Sequence, residues 1–326
     1  MKFRLVLVLL GTCLAALSPT AHATFSIIAC DRAGSCGVAV ATNNLAVGSS
    51  VLYAQAKVGA LVTQYETNPS YGPKGLSLLA TGMPPEGVIK ALLAGDGNFD
   101  GTTIASRQVG VVAAGGSSAA YTGEEAADSA WAGARHGTGY SVQGNGLASA
   151  QVATAMEETF LASTGTLAER LMASLEAGQQ AGGQTIGKLS AALLVRTPAG
   201  AWQDVDLRVD ASPEPIRDLH RLMDQYYAHQ AIIKAERQAN QGKVVEAKES
   251  LAEALHRSWY WDRIWRRAAR LAMKMGDEEE ALGYLGVFVA TNPAWAKEEL
   301  KDPIYQSLRK NALFESWVGN PGRRTN

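Results

Sequence analysis

The sequence has few of the residues from which metal sites and catalytic triads are built. Its 326 residues include five histidines and three cysteines. No cluster of histidines, cysteines and carboxylates has the spacing of metal ligands, and no Gly-x-Ser-x-Gly turn marks a serine nucleophile. A Ser-His-Asp triad would have to use His136, which we interpret as a solvated or structural residue beside Arg135. We therefore expect no metal and no other cofactor.

The net charge is small, and long apolar runs are rare. The formal net charge is −1, which gives no indication of binding to nucleic acid or to an anionic membrane surface. Residues 182–189 resemble a phosphate loop, but Leu189 occupies the position of the required Ser or Thr, so we reject that function. After residue 17, no stretch is long and apolar enough to span a bilayer.

The one marked apolar run, residues 5–17, follows a basic start with Lys2 and Arg4 and precedes the small-x-small residues 21–23. This order is typical of a secretory signal peptide. The run is too short to cross a membrane. We predict that residues 1–23 are removed by a cut after Ala23, and that the mature protein is periplasmic or secreted.

Removal of residues 1–23 would make Thr24 the first residue. Its hydroxyl would then lie beside a free α-amine, whose pKa of about 7.7 lets it accept the hydroxyl proton. Because other catalytic machinery is absent, Thr24 is the best candidate for a nucleophile. The alternative is that every exported chain begins with some residue, and that threonine carries no function here.

The two cysteines outside the signal segment, Cys30 and Cys36, flank turn-forming residues between two β-like runs. In an oxidising compartment, cysteines that face each other across a hairpin are usually bonded. We predict a disulfide, and the alternative is a pair of free buried thiols. A zinc site is a poor interpretation because no further Cys or His lies nearby.

Predicted strands and helices come in groups over residues 24–212. Strands are followed by a helix pair, further strands, a second helix pair and a final hairpin. Hairpins and paired helices argue against alternating βαβ units. We predict an α+β domain in which helix pairs cover the outer faces of central sheets.

From residue 213 the pattern is helical and more charged. Gly242 and Ala247 recur as Gly276 and Ala281, 34 residues later, which is the tetratricopeptide period. We predict a separate all-α tetratricopeptide-like domain over residues 213–326. Stacked helix pairs present a concave surface to a protein partner, and the alternative is a plain helical bundle that covers the first domain.

The first domain resembles a bacterial family, catalogued as domain of unknown function 1028, over roughly residues 24–210. The matching stretches are residues 24–29, 37–41, 46–48, 63–64, 68–75, 108–112, 141–145 and 190–194. The resemblance implies the fold of the N-terminal nucleophile (Ntn) hydrolases, a four-layer αββα sandwich. Characterised members of that fold cleave amide bonds with an N-terminal Thr, Ser or Cys, whereas this family has no settled substrate.

The resemblance also implies a site at the strand ends beside Thr24. Asn145, which follows a strand between glycines, is the expected oxyanion donor. Asn43 follows the second strand, where proteasome-type relatives have a carboxylate that positions the amine. Lys57 precedes the third strand and is a candidate for lowering the pKa of the nucleophile, as a lysine does in those relatives, and the alternative is a plain surface lysine. The residues expected to line the cleft are Gln64, Tyr71 and Ser190.

The sequence thus predicts an exported N-terminal-threonine amidohydrolase that acts on a small amide, peptide-like or acyl-amino-acid substrate. A protein partner is expected at the helical repeats, and a homo-oligomer is left open. The alternative is a non-catalytic periplasmic binding or scaffold protein that recruits a partner through its repeats. Only the enzyme needs the hydroxyl of Thr24.

N-terminal sequencing tests the processing site. Protein recovered from the periplasm or the medium should begin at Thr24, because the small residues at 21 and 23 suit the signal peptidase. A mature chain that begins elsewhere, or that retains Met1, would remove the basis for a nucleophile at Thr24.

Overall fold

The computed structural model describes residues 23–319, apart from the side chain of Trp202. Residues 1–22 of the predicted signal peptide lie outside the described residues. The chain divides into two compact units, of which the first ends at Pro215 and the second begins at Ile216.

In the described part of the first unit, ten strands form two sheets. The strands are β1 (Thr24–Cys30), β2 (Cys36–Thr42), β3 (Leu52–Gln55), β4 (Gly59–Tyr65), β5 (Arg107–Ala113), β6 (Ser118–Thr122), β7 (Trp131–Gly137), β8 (Tyr140–Leu147), β9 (Ser190–Arg196) and β10 (Val205–Val209). The larger sheet has the order β10-β9-β2-β1-β8-β7, and the smaller sheet has the order β3-β4-β5-β6. Every neighbouring pair is antiparallel, so neither sheet is built from βαβ units.

Helix pairs cover the outer faces of both sheets. The helices of this unit are α1 (Tyr71–Ala80), α2 (Pro85–Ala94), α3 (Glu124–Ala127), α4 (Ala150–Ala162) and α5 (Leu167–Gln180). Helices α1 and α2 bury Leu79, Val88 and Leu92 against Leu61 and Val111 of the smaller sheet. Helices α4 and α5 pack on the larger sheet. The layer order helix–sheet–sheet–helix confirms the predicted α+β sandwich.

The space between the two sheets is apolar at one end. Ile28, Val38 and Val40 of the larger sheet are buried there with Val62 and Val112 of the smaller one. Because successive side chains of a strand point to opposite faces, Ser26 and Thr24 share the face of Ile28, as does Cys30. The polar residues of β1 therefore point into the same space, towards its other end.

Strands β1 and β2 form a hairpin that carries the cysteine pair. Cys30 and Cys36 are partners in the ladder, and a disulfide joins them. The predicted bond is therefore confirmed, and the alternative of two free thiols is wrong. The bond fixes the end of β1 that lies opposite to Thr24.

Two strands lie where none was predicted. Strand β3 is short, and β7 is an edge strand with half-exposed residues and no apolar alternation, so neither has the pattern of a half-buried strand. His136 belongs to β7, and its Nδ1 atom lies 3.2 Å from the hydroxyl oxygen of Ser118. This contact supports the structural interpretation of His136.

The described part of the second unit is all-helical, as predicted. Its helices are α6 (Pro215–Asn240), α7 (Val244–Arg257), α8 (Asp262–Met275), α9 (Glu278–Thr291), α10 (Pro293–Glu299) and α11 (Ala312–Gly319). Helices α7 and α9 have the same length and begin 34 residues apart, and their tetratricopeptide character stays a prediction. Over residues 23–319 no helix has both the length and the apolar character to cross a membrane.

A buried ion pair holds the start of β5 against the helices of the smaller sheet. Arg107 is fully buried, and its Nε and Nη2 atoms lie 3.0 and 3.2 Å from the two carboxylate oxygens of Asp96. The Tyr71 hydroxyl and the Asn68 amide donate to the same carboxylate, at 2.6 and 3.1 Å. Burial alone would raise the pKa of Asp96, but these hydrogen bonds and the charge of Arg107 lower it to about 2.

This cluster gives a pH dependence of stability. A lowered pKa means that the native state favours the carboxylate, so the stabilisation is present above about pH 4 and is lost as the pH falls through about 2. At pH 7, Asp96→Asn should lower the free energy of unfolding by at least about 2 kcal/mol. When unfolding in urea is measured between pH 4 and pH 2, the difference in free energy of unfolding between this variant and the wild type should shrink as the pH falls.

The matched control is Asp100→Asn, because Asp100 is exposed in the loop that follows. This variant should unfold within about 0.5 kcal/mol of the wild type. Equal losses in the two variants would show that the Asp96–Arg107 pair does not stabilise the fold.

Candidate functional site

Thr24 is the first residue of β1, which lies between β2 and β8 in the interior of the larger sheet. In the ladders its partners are Thr42 on one side and Asn145 on the other. All three side chains are buried, on the face that points to the smaller sheet. The sheet register therefore brings two of the predicted residues together, and adds a third, Thr42, that the sequence analysis did not single out.

The Thr42 hydroxyl links Thr24 to the preceding peptide bond. It donates to the Ala23 carbonyl oxygen at 2.7 Å, and its oxygen lies 3.2 Å from the Thr24 hydroxyl oxygen. A hydroxyl has one hydrogen to donate. Because Thr42 gives that hydrogen to Ala23, the second contact requires Thr24 to donate to Thr42.

A chain of buried amides lies beside this pair, between the sheets. Ser26 donates to Gln64 Oε1 at 2.7 Å, and Gln64 Nε2 donates to Gln108 Oε1 at 2.7 Å. Gln143 Nε2 donates to the hydroxyl and the carbonyl oxygen of Ser26, at 2.7 and 3.2 Å. The sheets approach closely here, since a Cβ atom on Gly110 would lie 2.1 Å from Gln143 Oε1.

Backbone carbonyls fix which way these amides point. Gln108 Nε2 lies 2.8 Å from the carbonyl oxygen of Gly144 and 3.4 Å from that of Gly133. Carbonyl oxygens only accept, so the nitrogen of Gln108 must face them and its Oε1 must face the other way. That oxygen then accepts from Gln64 Nε2 and from Asn145 Nδ2, the latter at 2.8 Å.

The orientation of Asn145 follows from that of Gln108. Its Nδ2 is bound to Gln108, and its Oδ1 is buried without a hydrogen-bond partner within residues 23–319. A buried unpaired acceptor is costly, so it marks a site for a donor that comes from elsewhere. Asn145 is thus placed as the sequence predicted, beside Thr24, but the atom it leaves available is an acceptor and not an oxyanion donor.

Ser190 and Asn43 lie at the same end of the sheet. Ser190 is the ladder partner of Thr42, and its hydroxyl donates to the Asn44 carbonyl oxygen at 2.6 Å and accepts from the Val47 backbone nitrogen at 3.1 Å. Ser190 therefore holds the segment after β2 in place. Asn43 directly follows Thr42 and is half-buried.

Two predicted site residues lie elsewhere, and both expectations need correction. Lys57 is exposed in the turn between β3 and β4, where its backbone nitrogen donates to the Gly34 carbonyl oxygen at 2.8 Å. Gly34 is in the turn at the disulfide end of β1, so the length of the strand separates Lys57 from Thr24 and excludes an effect on its pKa. Tyr71 belongs to the Asp96 cluster, where burial first, and then Asp96, raise the pKa of its hydroxyl.

The glycine-rich residues 182–188 cross the strand ends beside Thr24. The Thr185 backbone nitrogen donates to the Gly146 carbonyl at the end of β8, and that of Leu189 donates to the Thr42 carbonyl at the end of β2. Since β1 lies between β8 and β2, this segment passes the start of β1. Within it, Gln184 is 7% exposed, and neither polar atom of its amide has a partner in the described chain. The segment that resembled a phosphate loop therefore borders the candidate site.

The fold and the site define a class: a layered α+β protein with a buried threonine at the head of a central strand. Residues 24–219 match the model of a family of unknown function, DUF1028. That match spans more than half of the chain, so the protein belongs to this family, as the resemblance predicted.

One solved structure supports the same grouping. The crystal structure of a protein from Silicibacter pomeroyi, assigned to the same family, is 35% identical in sequence and has a TM-score of 0.55. The similarity covers 62% of this chain and 84% of the other. A comparison with proteins of curated function gives no significant match. The relatives therefore establish the family, and the chemistry must be argued from the site.

The role of Gln108 can be tested with an apolar side chain of similar length. Gln108→Met leaves the Gln64 and Asn145 nitrogens without their acceptor, and should lower the free energy of unfolding by at least about 2 kcal/mol. Gln55→Met, at the exposed end of β3, is the control and should change it by less than about 0.5 kcal/mol. Coincident urea transitions for the two variants would show that the amide chain adds no stability.

Proposed function

We propose that the mature protein is an exported N-terminal-threonine amidohydrolase of the Ntn type. It would hydrolyse an amide bond in a small peptide-like or acyl-amino-acid substrate. The observation that carries the proposal is the surroundings of Thr24, whose hydroxyl contacts that of Thr42 and lies beside the strand partner Asn145, with its unpaired Oδ1.

The fold and the family agree with this proposal. The helix–sheet–sheet–helix order is that of the Ntn hydrolases, which carry their nucleophile at the start of a central strand. The family match also begins at Thr24, the residue that signal cleavage would make the first. The disulfide favours an oxidising compartment, in keeping with a periplasmic or secreted protein.

The α-amine created by cleavage would act as the base. It would take the hydroxyl proton as Thr24 Oγ1 attacks the substrate carbonyl carbon, and would pass that proton to the leaving amine as the amide bond breaks. A water molecule would then hydrolyse the ester on Thr24 and release the acid. Asn145 Oδ1 is an acceptor beside the start of the strand, so it suits a hydrogen bond from the α-amine that orients it.

Thr42 would supply a donor to the oxyanion. In the uncleaved chain its hydrogen is used by the Ala23 carbonyl oxygen. Loss of residues 1–23 removes that acceptor and frees the hydrogen next to the nucleophile. A preorganised donor of this kind stabilises the charge that develops on the carbonyl oxygen.

The test is an acylating electrophile applied to the mature protein, with the adduct located by peptide mass mapping. Thr24→Ala should abolish labelling, and Thr24→Ser should retain part of it, because the serine keeps both hydroxyl and amine. One extra residue before Thr24 should be as damaging as Thr24→Ala, since it converts the amine into an amide. If the extended protein is labelled as well as the mature one, the Ntn mechanism is wrong, whatever the fold.

The same assay examines Thr42. Thr42→Val should slow labelling by about 100-fold, which is typical for the loss of one oxyanion donor. Thr63→Val is the matched control, because Thr63 is equally buried on β4 but lies outside the site, and it should be labelled at the rate of the unmodified protein. Equal rates for the two valine variants would remove Thr42 from the mechanism.

A further inference from the structure

The helical unit contains a basic groove that the proposed hydrolase chemistry does not use. It has a volume of about 380 Å³ and is lined by residues of α6 and α8, namely His229, Glu236, Arg263, Arg266, Arg267 and Arg270. Four guanidinium groups thus surround one carboxylate. An excess of arginine in a concave site is typical of anion recognition.

The periodicity of the α-helix explains why the four arginines lie on one face of α8. Residues three, four and seven positions apart lie on the same face of a helix, and the arginines of α8 have this spacing. The opposite face of α8 buries Ile264, Ala268 and Leu271 in the core of the unit. The arginines are therefore held on a rigid helix whose other side is fixed by packing.

Three of the four arginines already bind carboxylates of the same chain. Arg267 binds Glu236 through two nitrogens, at 2.9 and 2.7 Å. Arg266 and Arg270 both bind the buried Glu299, and Arg270 also binds Asp302. The groove is thus built in a way that accepts planar carboxylates side-on.

Arg263 differs from its neighbours. It is exposed, and its side chain has no carboxylate partner among residues 23–319. Burial, followed by the charges of Arg267 and Arg263, lowers the pKa of the nearby His229, and Glu236 opposes this only in part. Arg263 is therefore the one arginine of the groove whose guanidinium has no carboxylate partner among residues 23–319.

We propose that this groove binds a carboxylate ligand, and that the guanidinium group of Arg263 is its main hydrogen-bond donor. The carboxylate comes either from an acidic peptide segment of a partner protein or from a small polycarboxylate. The volume admits one or two acidic residues and not a folded surface. The proposal is independent of catalysis at Thr24.

Calorimetric titration of the full mature chain tests the proposal. The probes are the peptide N-acetyl-Ala-Asp-Glu, its neutral counterpart N-acetyl-Ala-Asn-Gln-amide, citrate and inorganic phosphate. We expect saturable binding of the acidic peptide or of citrate, and none of the neutral peptide. Binding of the peptide but not citrate assigns the ligand to a partner protein, and the reverse assigns it to a small polycarboxylate.

Two variants with the same change of charge locate the site. Arg263→Gln should weaken binding at least about tenfold, as expected for the loss of a charge-assisted hydrogen-bond pair. Arg309→Gln, on an exposed residue of the same unit outside the groove, should leave the affinity unchanged. Circular dichroism should show that both variants are folded.

Three results would overturn the proposal. They are the absence of saturable binding by either carboxylate probe, equal weakening by the two arginine variants, and tighter binding of phosphate than of both carboxylates. Loss of electrophile labelling at Thr24 would not affect it, because the groove is tested by binding alone.

Discussion

The two hydrogen bonds that Gln108 Nε2 donates to backbone carbonyls set the arrangement of the candidate site. Since the carbonyls of Gly133 and Gly144 can only accept, the side chain of Gln108 has one allowed orientation. Its oxygen then requires the nitrogens of Gln64 and Asn145 to face it. One side chain on the smaller sheet thereby decides that Asn145, on the larger sheet, keeps its oxygen and not its nitrogen without a partner among the described residues.

The space between the sheets has two regions, which are stabilised by different interactions. At the disulfide end, valines and isoleucines are buried together, and burial of apolar surface stabilises the contact. At the Thr24 end, amides and hydroxyls are buried instead, and most of them are hydrogen-bonded, which offsets the cost of burying them. Within the part of the chain that the structure describes, the exceptions are Asn145 Oδ1 and the amide of Gln184 in the bordering segment, which is why we assign them to binding and not to packing.

Much of this site could be predicted from the sequence. The predicted pairing of Cys30 with Cys36 fixes the register of the hairpin, and counting six residues back from Cys30 and six forward from Cys36 puts Thr24 opposite Thr42. Thr42 could therefore have been found from the disulfide alone. The signal peptide pattern and the order of strands and helices likewise led to Thr24 and to the layered α+β fold without coordinates.

Other features depend on contacts that no local pattern records. The end of the sheet at which Lys57 lies is set by the β3–β4 turn and its bond to Gly34, so its place in the chain gave no guide to its distance from Thr24. The Tyr71 hydroxyl donates to Asp96, 25 residues later in the sequence. The polarity of the Asn145 amide depends on Gln108, which joins it only through the packing of two sheets.

Hydrogen-bond satisfaction distinguishes structural polar residues from those that we assign to binding in two places of this protein. Arg107 is fully buried, and its three guanidinium nitrogens all have acceptors, so it holds the fold together and has no capacity left for a ligand. Arg263 carries the same group on an exposed helix face without a carboxylate partner in the described chain. The same contrast holds between Gln143, whose two polar atoms are both bound, and Asn145, whose oxygen is not. The two members of each pair carry the same functional group, a guanidinium or an amide, so the difference in their proposed roles comes from what the rest of the fold leaves unpaired.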